Sequence, residues 1–87
     1  MNNILMEYYT AAWCGPCRSV KPIINELKAA GWNIDIIDAD LNKDKVLINQ
    51  IAGIPTFIIY KDNQIVSRFT GARPKSALLD ELNRAAG

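Results

Sequence analysis

Histidine is absent from the 87 residues, which removes the commonest general base near neutral pH and the commonest metal ligand. Chemistry must then come from thiols, carboxylates, lysines, tyrosines or backbone groups. Long apolar runs are missing too, and no stretch approaches the length of a transmembrane helix. The opening MNNILMEYY lacks the positive flank and extended apolar stretch of a signal peptide, so a cytoplasmic protein without membrane contact is expected. Charge of one sign is not in excess: the formal net charge is +1, with basic and acidic residues interspersed. That leaves neither a nucleic-acid surface nor a polybasic membrane patch, and the charges read as a solvated exterior. Linkers, Pro-rich stretches, repeats and low-complexity segments are absent as well. With 49% hydrophobic and 22% charged residues, the composition is that of one ordinary globular domain over residues 1–87. It lies near the lower size limit for a single apolar core.

Apolar periodicity supplies the elements. Residues 4–9 (ILMEYY) form a short run of strand formers and read as a buried strand. Beyond Cys14 the period changes. Val20, Ile23, Ile24 and Leu27 recur at helical spacing until Gly31, where a helix would stop. Pro22 lies inside that helix and is expected to kink it. Residues 33–38 (NIDIID) read as a second strand, and the polar residues 40–44 can cap a short helix running to about Ile51. Gly53-Ile54-Pro55 breaks the pattern before residues 56–60 (TFIIY), a strongly apolar strand. A polar turn at residues 61–64 joins it to residues 65–70 as a hairpin. Gly71 punctuates again, and Pro74 suits the first turn of a helix. Leu78, Leu79, Leu82 and Ala86 give that helix one apolar face. The order β-α-β-α-β-β-α needs parallel crossovers first and an antiparallel hairpin last. The expected fold is therefore α/β, a mixed four-stranded sheet with three helices distributed over both faces.

Both cysteines fall in residues 12–18, AWCGPCR. A structural clip at this spacing would close a very short loop worth roughly 2 kcal/mol at most, and stapling bridges favour secreted domains. A zinc site needs four ligands, commonly two such pairs or a pair plus histidines, and here one pair stands without histidine. Two inert buried cysteines at this spacing on a helix start would be an accident. The redox reading has a mechanism. Cys14 falls at the expected N-terminus of a helix, where unpaired N–H groups and the helix dipole favour an anion. The thiolate is the nucleophile in disulfide exchange, so that place lowers its pKa and activates it. Gly15 leaves the approach open, while Pro16 lacks an N–H and stiffens the first turn. Cys17, about one turn on, is close enough to close a disulfide and is expected to be the more sheltered thiol. Roles follow: Cys14 attacks a partner's disulfide, and Cys17 resolves the mixed disulfide.

WCGPC followed by a basic residue, with Pro22 five positions after the second cysteine, resembles the thioredoxin family. Residues 53–56 (GIPT) resemble its cis-proline segment, residues 57–63 (FIIYKDN) its following strand and turn, and Thr70-Gly71-Ala72 its glycine loop. The similarity runs from about Ile4 to Ala86. It implies a protein-disulfide reductase and electron carrier cycling a Cys14–Cys17 dithiol/disulfide. It also implies a shallow partner groove formed by Trp13, Ile54, Pro55, Thr70, Gly71 and Ala72. A cis Ile54–Pro55 bond would turn the backbone groups of Ile54 outward, where an extended segment could pair with them. No bound cofactor is implied: a thioredoxin reductase would supply electrons from NADPH, with the flavin in that partner. Disulfide-containing clients, ribonucleotide reductase among them, and a monomeric state belong to the same expectation.

Two features depart from the family. Its members usually carry another strand and helix before the strand at residues 4–9. This chain thus resembles a trimmed member of glutaredoxin size, expected to be less stable. They also normally hold a buried aspartate six residues before the first cysteine, often with a buried lysine on the neighbouring strand. Here those positions are Tyr8 and Ile36. The resemblance gives that aspartate the proton of the resolving thiol, and tyrosine, with a reference pKa of about 10, is a poor base. The proton is expected to pass to water, or through a hydrogen bond to Tyr8. Glu7 should face the other side of its strand and not substitute. Within the same fold the alternative is a glutaredoxin-like reductase fed by glutathione. Against it, CGPC and Gly71-Ala72 stand where CPYC and a Gly-Gly pair would. The alternative of another class is a non-catalytic binding subunit docking through Trp13 and Ile54, which an intact WCGPC argues against.

Overall fold

The computed structural model describes residues 3–87. Seven elements follow in order: β1 (Ile4–Thr10), α1 (Cys17–Ala29), β2 (Ile34–Asp38), α2 (Lys43–Ile48), β3 (Thr56–Lys61), β4 (Gln64–Thr70) and α3 (Lys75–Ala86). The sheet runs β2-β1-β3-β4, with β1 parallel to β2 and antiparallel to β3, and β4 antiparallel to β3. The expected mixed α/β architecture is the one observed.

Alternation along β1 divides the interior in two. Ile4, Met6 and Tyr8 face one side, where Ile34, Phe57 and Ile59 join them from the neighbouring strands. Val20, Ile24 and Leu27 of α1 and Leu78 and Leu82 of α3 close over that side. Each fully buried aliphatic chain contributes about 1.5–3 kcal/mol, which makes this the main core. Aromatic stacking continues it, Tyr8 on Phe57 at 5.3 Å and Phe57 on Phe69 at 5.0 Å between ring centres. The other side is thinner. There Tyr9, Ile37 and Ile58 are covered by Val46, Ile51, Ile54 and Tyr60, and α2 buries none of its own residues.

Local chemistry fixes where each element stops. α1 continues past Pro22, although Pro22 has no N–H to offer the Arg18 carbonyl. It ends at Ala29, and Gly31 just beyond, with a φ of 104°, lets the Gly31 and Trp32 amides return to Lys28 O at 3.0 Å and Leu27 O at 3.1 Å, a Schellman closure. α2 ends at Ile48 rather than near Ile51, because Gln50 adopts φ 53° and closes the helix the same way. Its amide reaches Leu47 O, and that of Ile51 reaches Val46 O. Nor do residues 40–44 cap that helix by side chain: Asn42 is the N-cap and makes no such bond. Asp38 instead takes the Asp40 and Leu41 amides on Oδ1 and shapes the turn. In the β3–β4 hairpin Asp62 and Asn63 both have positive φ, which suits a two-residue turn to the strand twist. On α3 the expected apolar Ala86 is exposed, and Ala85 packs on the core instead, since it comes two turns after Leu78.

All three tyrosines lie on this sheet, and burial pushes the Tyr8, Tyr9 and Tyr60 phenols above their ordinary 10.0. The folded chain therefore keeps protons that the unfolded chain releases. Stability present below the unfolded value falls as pH climbs toward the raised folded values. In an alkaline titration, phenolate absorbance should lag behind that of free tyrosine and rise together with loss of far-UV circular dichroism. Phenols that ionise at the ordinary value with the dichroism intact would contradict this.

Candidate functional site

The chain leaves β1 through a tight turn. The Cys14 amide donates to Ala11 O and the Arg18 amide to Gly15 O, each at 3.1 Å. This turn sets Cys14 ahead of α1 rather than within it, with Pro16 as the N-cap and Cys17 as the first helical residue. The sulfur nonetheless sits over the helix start: the Cys17 amide donates to Cys14 Sγ at 3.2 Å. Cys14 and Cys17 are joined as a disulfide, their Cα atoms 5.3 Å apart. Ala11 and Ile54 pack around the pair.

The expectation that Cys17 is the more sheltered thiol does not hold. Cys14 is 3% and Cys17 5% exposed, because the bridge and the surrounding turn cover both. What the structure gives Cys14 is a backbone donor aimed at its sulfur, which favours negative charge there. Gly15 is exposed, and a side chain at its position would meet nothing within 4 Å. The approach over the turn is open.

To one side of the disulfide lies a cleft of about 290 Å³ walled by Trp13, Asp40, Lys43, Val46, Ile51 and Ile54. Trp13 is 68% exposed, and its Nε1 donates to Asp40 at 2.8 Å. The Ile54–Pro55 peptide bond is cis. Pro55 O accepts the Gly71 amide at 2.8 Å, and Gly71 has φ 104°, a conformation open to glycine. Thr70 Oγ1 lies 3.1 Å from Thr56 Oγ1. The glycine loop is thereby tied to Pro55, yet Thr70, Gly71 and exposed Ala72 do not line the Trp13–Ile54 cleft. Asp40 and Val46 are residues that sequence reasoning missed. Asp40 reads as part of a helix cap, and no local pattern connects it to Trp13 across 27 positions.

On the other side Tyr8, Thr10, Cys17, Lys21, Ile36 and Asp38 line a cavity of about 300 Å³. Tyr8 and Ile36 are partners in the parallel β1–β2 register, so the positions expected for the aspartate and the lysine do meet. Ile36 is 48% exposed. The Tyr8 hydroxyl donates to Thr10 Oγ1 at 3.2 Å and lies 3.5 Å from the Cys17 carbonyl oxygen. Burial raises its pKa, so Tyr8 is a neutral donor at physiological pH. Glu7 faces away from this cavity and accepts the hydroxyls of Tyr9 and Tyr60 on the opposite side of the sheet.

A carboxylate in place of Tyr8 would set a negative charge in poorly solvated surroundings beside the thiols and oppose a second anion. Thiolate absorbance of reduced Tyr8→Asp, followed against pH, should therefore rise at higher pH than in the native protein. If neither thiol titrates higher in the variant, this electrostatic reading of Tyr8 is wrong.

Among the described residues no helix is long and apolar enough to cross a membrane. No group of three or more Cys, Asp or Glu side chains among them is placed to hold a metal ion.

The thioredoxin family model matches residues 1–84. Thioredoxin of Mycobacterium tuberculosis is 39% identical over 83 residues, spanning 92% of this chain and 71% of that one. The chloroplastic thioredoxin Y2 of Arabidopsis thaliana is 36% identical over 85 residues, or 94% of this chain and 50% of its own. Among solved structures, a mutant thioredoxin from Halobacterium salinarum shares the fold with a TM-score of 0.92 at 24% identity, covering 98% of this chain and 76% of that one. Thioredoxin of Fasciola hepatica aligns with a TM-score of 0.86 at 28% identity, covering 95% and 81%. Likeness along almost the whole chain meets a disulfide across CGPC at a strand-to-helix turn. The chain belongs to the thioredoxin family and is a thiol–disulfide oxidoreductase with protein-disulfide reductase activity.

Proposed function

We propose that this chain is a cytoplasmic electron carrier in which Cys14 attacks client disulfides and Cys17 resolves the product. The carrying observation is the Cys17 amide 3.2 Å from Cys14 Sγ. In the reduced protein the same N–H and the start of α1 favour the Cys14 thiolate over the thiol. That thiolate attacks one sulfur of a client disulfide. A Cys14–client bond forms, the client bond breaks, and the other client sulfur leaves as a thiolate. Cys17 then loses its proton and attacks Cys14 Sγ. The mixed disulfide breaks, the client departs as a dithiol, and the Cys14–Cys17 bridge closes.

The remaining residues divide between docking and proton handling. A client segment lies along Trp13 and Ile54, with Pro55, Thr70, Gly71 and Ala72 bordering its path and Gly71 permitting close backbone approach. Water in the cavity beside Tyr8 takes the Cys17 proton, because a buried, neutral phenol accepts one poorly. The chain itself binds no cofactor. Electrons come from NADPH through the flavin of a thioredoxin reductase, and clients are disulfide-containing proteins of the ribonucleotide reductase kind. CGPC, in place of CPYC, supports this donor over glutathione. The chain acts as a monomer.

Insulin-disulfide reduction, driven by NADPH with thioredoxin reductase or by glutathione, tests the reading on native protein and Cys14→Ser. Turnover with the reductase, abolished in Cys14→Ser, is expected. Activity with neither donor, or retained activity in Cys14→Ser, overturns it. Activity with glutathione alone transfers the chain to the glutaredoxin type.

A further inference from the structure

The face of the sheet that the thiols do not use carries an uncommon group, a buried carboxylate in the middle of the central strand. Glu7 has a side chain 9% exposed. Its Oε1 accepts the hydroxyls of Tyr60 at 2.9 Å and Tyr9 at 3.1 Å. Its Oε2 lies 3.5 Å from Lys45 Nζ. Tyr9 passes the contact on, since its oxygen accepts from Asn49 Nδ2 at 2.8 Å. The Asn49 carbonyl in turn accepts from Arg68 Nη1, and that of Gln50 accepts from Arg68 Nη2 at 2.7 Å.

Tyr9 and Tyr60 fix the carboxylate to β1 and β3, and the remaining links end on α2 or just after it, at Lys45, Asn49 and Gln50. α2 is six residues long and buries none of them, so apolar packing alone holds it weakly. A buried carboxylate is costly unless donors reach it; the sheet supplies two hydroxyls, and Lys45 and the Asn49–Tyr9 bond complete the set with α2 in this placement. The element so held leads directly into the site. Val46 of α2, then Ile51 and Ile54, form the wall of the cleft opposite Trp13.

We propose that Glu7 is a positioning residue for client binding: through Lys45, and through Tyr9 to Asn49, it seats α2 and residues 49–55, and so fixes the cleft wall facing Trp13. Arg68 completes the clasp from β4. The proposal rests on the reading of the Trp13–Ile54 cleft as the client groove. It assigns Glu7 no part in thiol chemistry, since Glu7 and the Tyr8 cavity lie on opposite sides of β1.

The test compares two oxidants of the pre-reduced protein in single turnover. One is insulin, which needs the groove, and the other is dithionitrobenzoate, a small disulfide that needs only access to the Cys14 sulfur. Variants are Glu7→Leu, Glu7→Gln and Arg68→Met, with Trp13→Ala as the groove reference. Glu7→Leu and Arg68→Met should raise the half-saturating insulin concentration about fivefold, the low end of inter-site coupling, leaving the maximal rate and the small-disulfide rate within about twofold. Glu7→Gln, which keeps an acceptor for the tyrosines, should fall between native and Glu7→Leu. If Glu7→Leu does not fold, the exposed Arg68→Met change and Glu7→Gln carry the comparison. Unchanged half-saturation in these variants, while Trp13→Ala raises it, overturns the proposal and leaves the groove standing. A parallel fall in both reactions overturns it too, by placing the effect on the thiols. No change in Trp13→Ala removes the groove reading and this inference with it.

Discussion

The backbone amide of Cys17 points at the sulfur of Cys14 from 3.2 Å, and most of the molecule can be understood as the means of holding that contact. The amide belongs to the first residue of α1, one of the N–H groups that a helix leaves without an internal partner. Its direction is set by the helix, and the helix is set by Val20, Ile24 and Leu27 buried against the sheet. The sulfur is held by the turn after β1, which the Cys14–Ala11 and Arg18–Gly15 bonds close. A shift of strand against helix would move donor from acceptor. The main core thus serves reactivity as directly as stability.

The central strand carries two different chemistries on its two faces. Tyr8 looks into the main core and ends beside the Cys17 carbonyl, where its raised pKa keeps it uncharged. Glu7, one residue earlier, looks the other way and gathers hydroxyls and Lys45 around a carboxylate. The Glu7 charge therefore lies across the sheet from the thiols, behind β1, while on the near side a neutral phenol stands at position 8 and Asp38 also lines the cavity. With a neutral phenol rather than a carboxylate at position 8, a thiolate at Cys14 is easier to form.

Much of this was legible in the residues because it rests on local pattern. The apolar run of β1, the 3.6-residue spacing of α1 and the polar turn at residues 61–64 all declare themselves within a few positions. CGPC is equally local, and so the reactive pair was readable. The end of α2 was not, since it depends on Gln50 taking a left-handed conformation that its residue type does not advertise. The same holds for Ala85 over Ala86, which depends on how α3 is rotated against the sheet. At the site, the Trp13–Asp40 bond joins residues 27 positions apart, and the Glu7–Tyr60 bond spans 53. Such pairs exist only once the strands are in register. Relative sheltering of the two thiols also escaped the sequence, because it depends on the turn that lifts Cys14 out of the helix.

Reactivity of the individual thiols reports most directly on the contact between the Cys17 amide and Cys14. Reduced protein can be alkylated with iodoacetamide across a range of pH, and the modified cysteine identified by peptide mass spectrometry. Cys14 should react first, with an apparent pKa below the ordinary thiol value of about 8.5, and Cys17 should follow only slowly. Faster modification of Cys17, or a Cys14 that titrates at or above the ordinary value, would contradict the role given to the helix start.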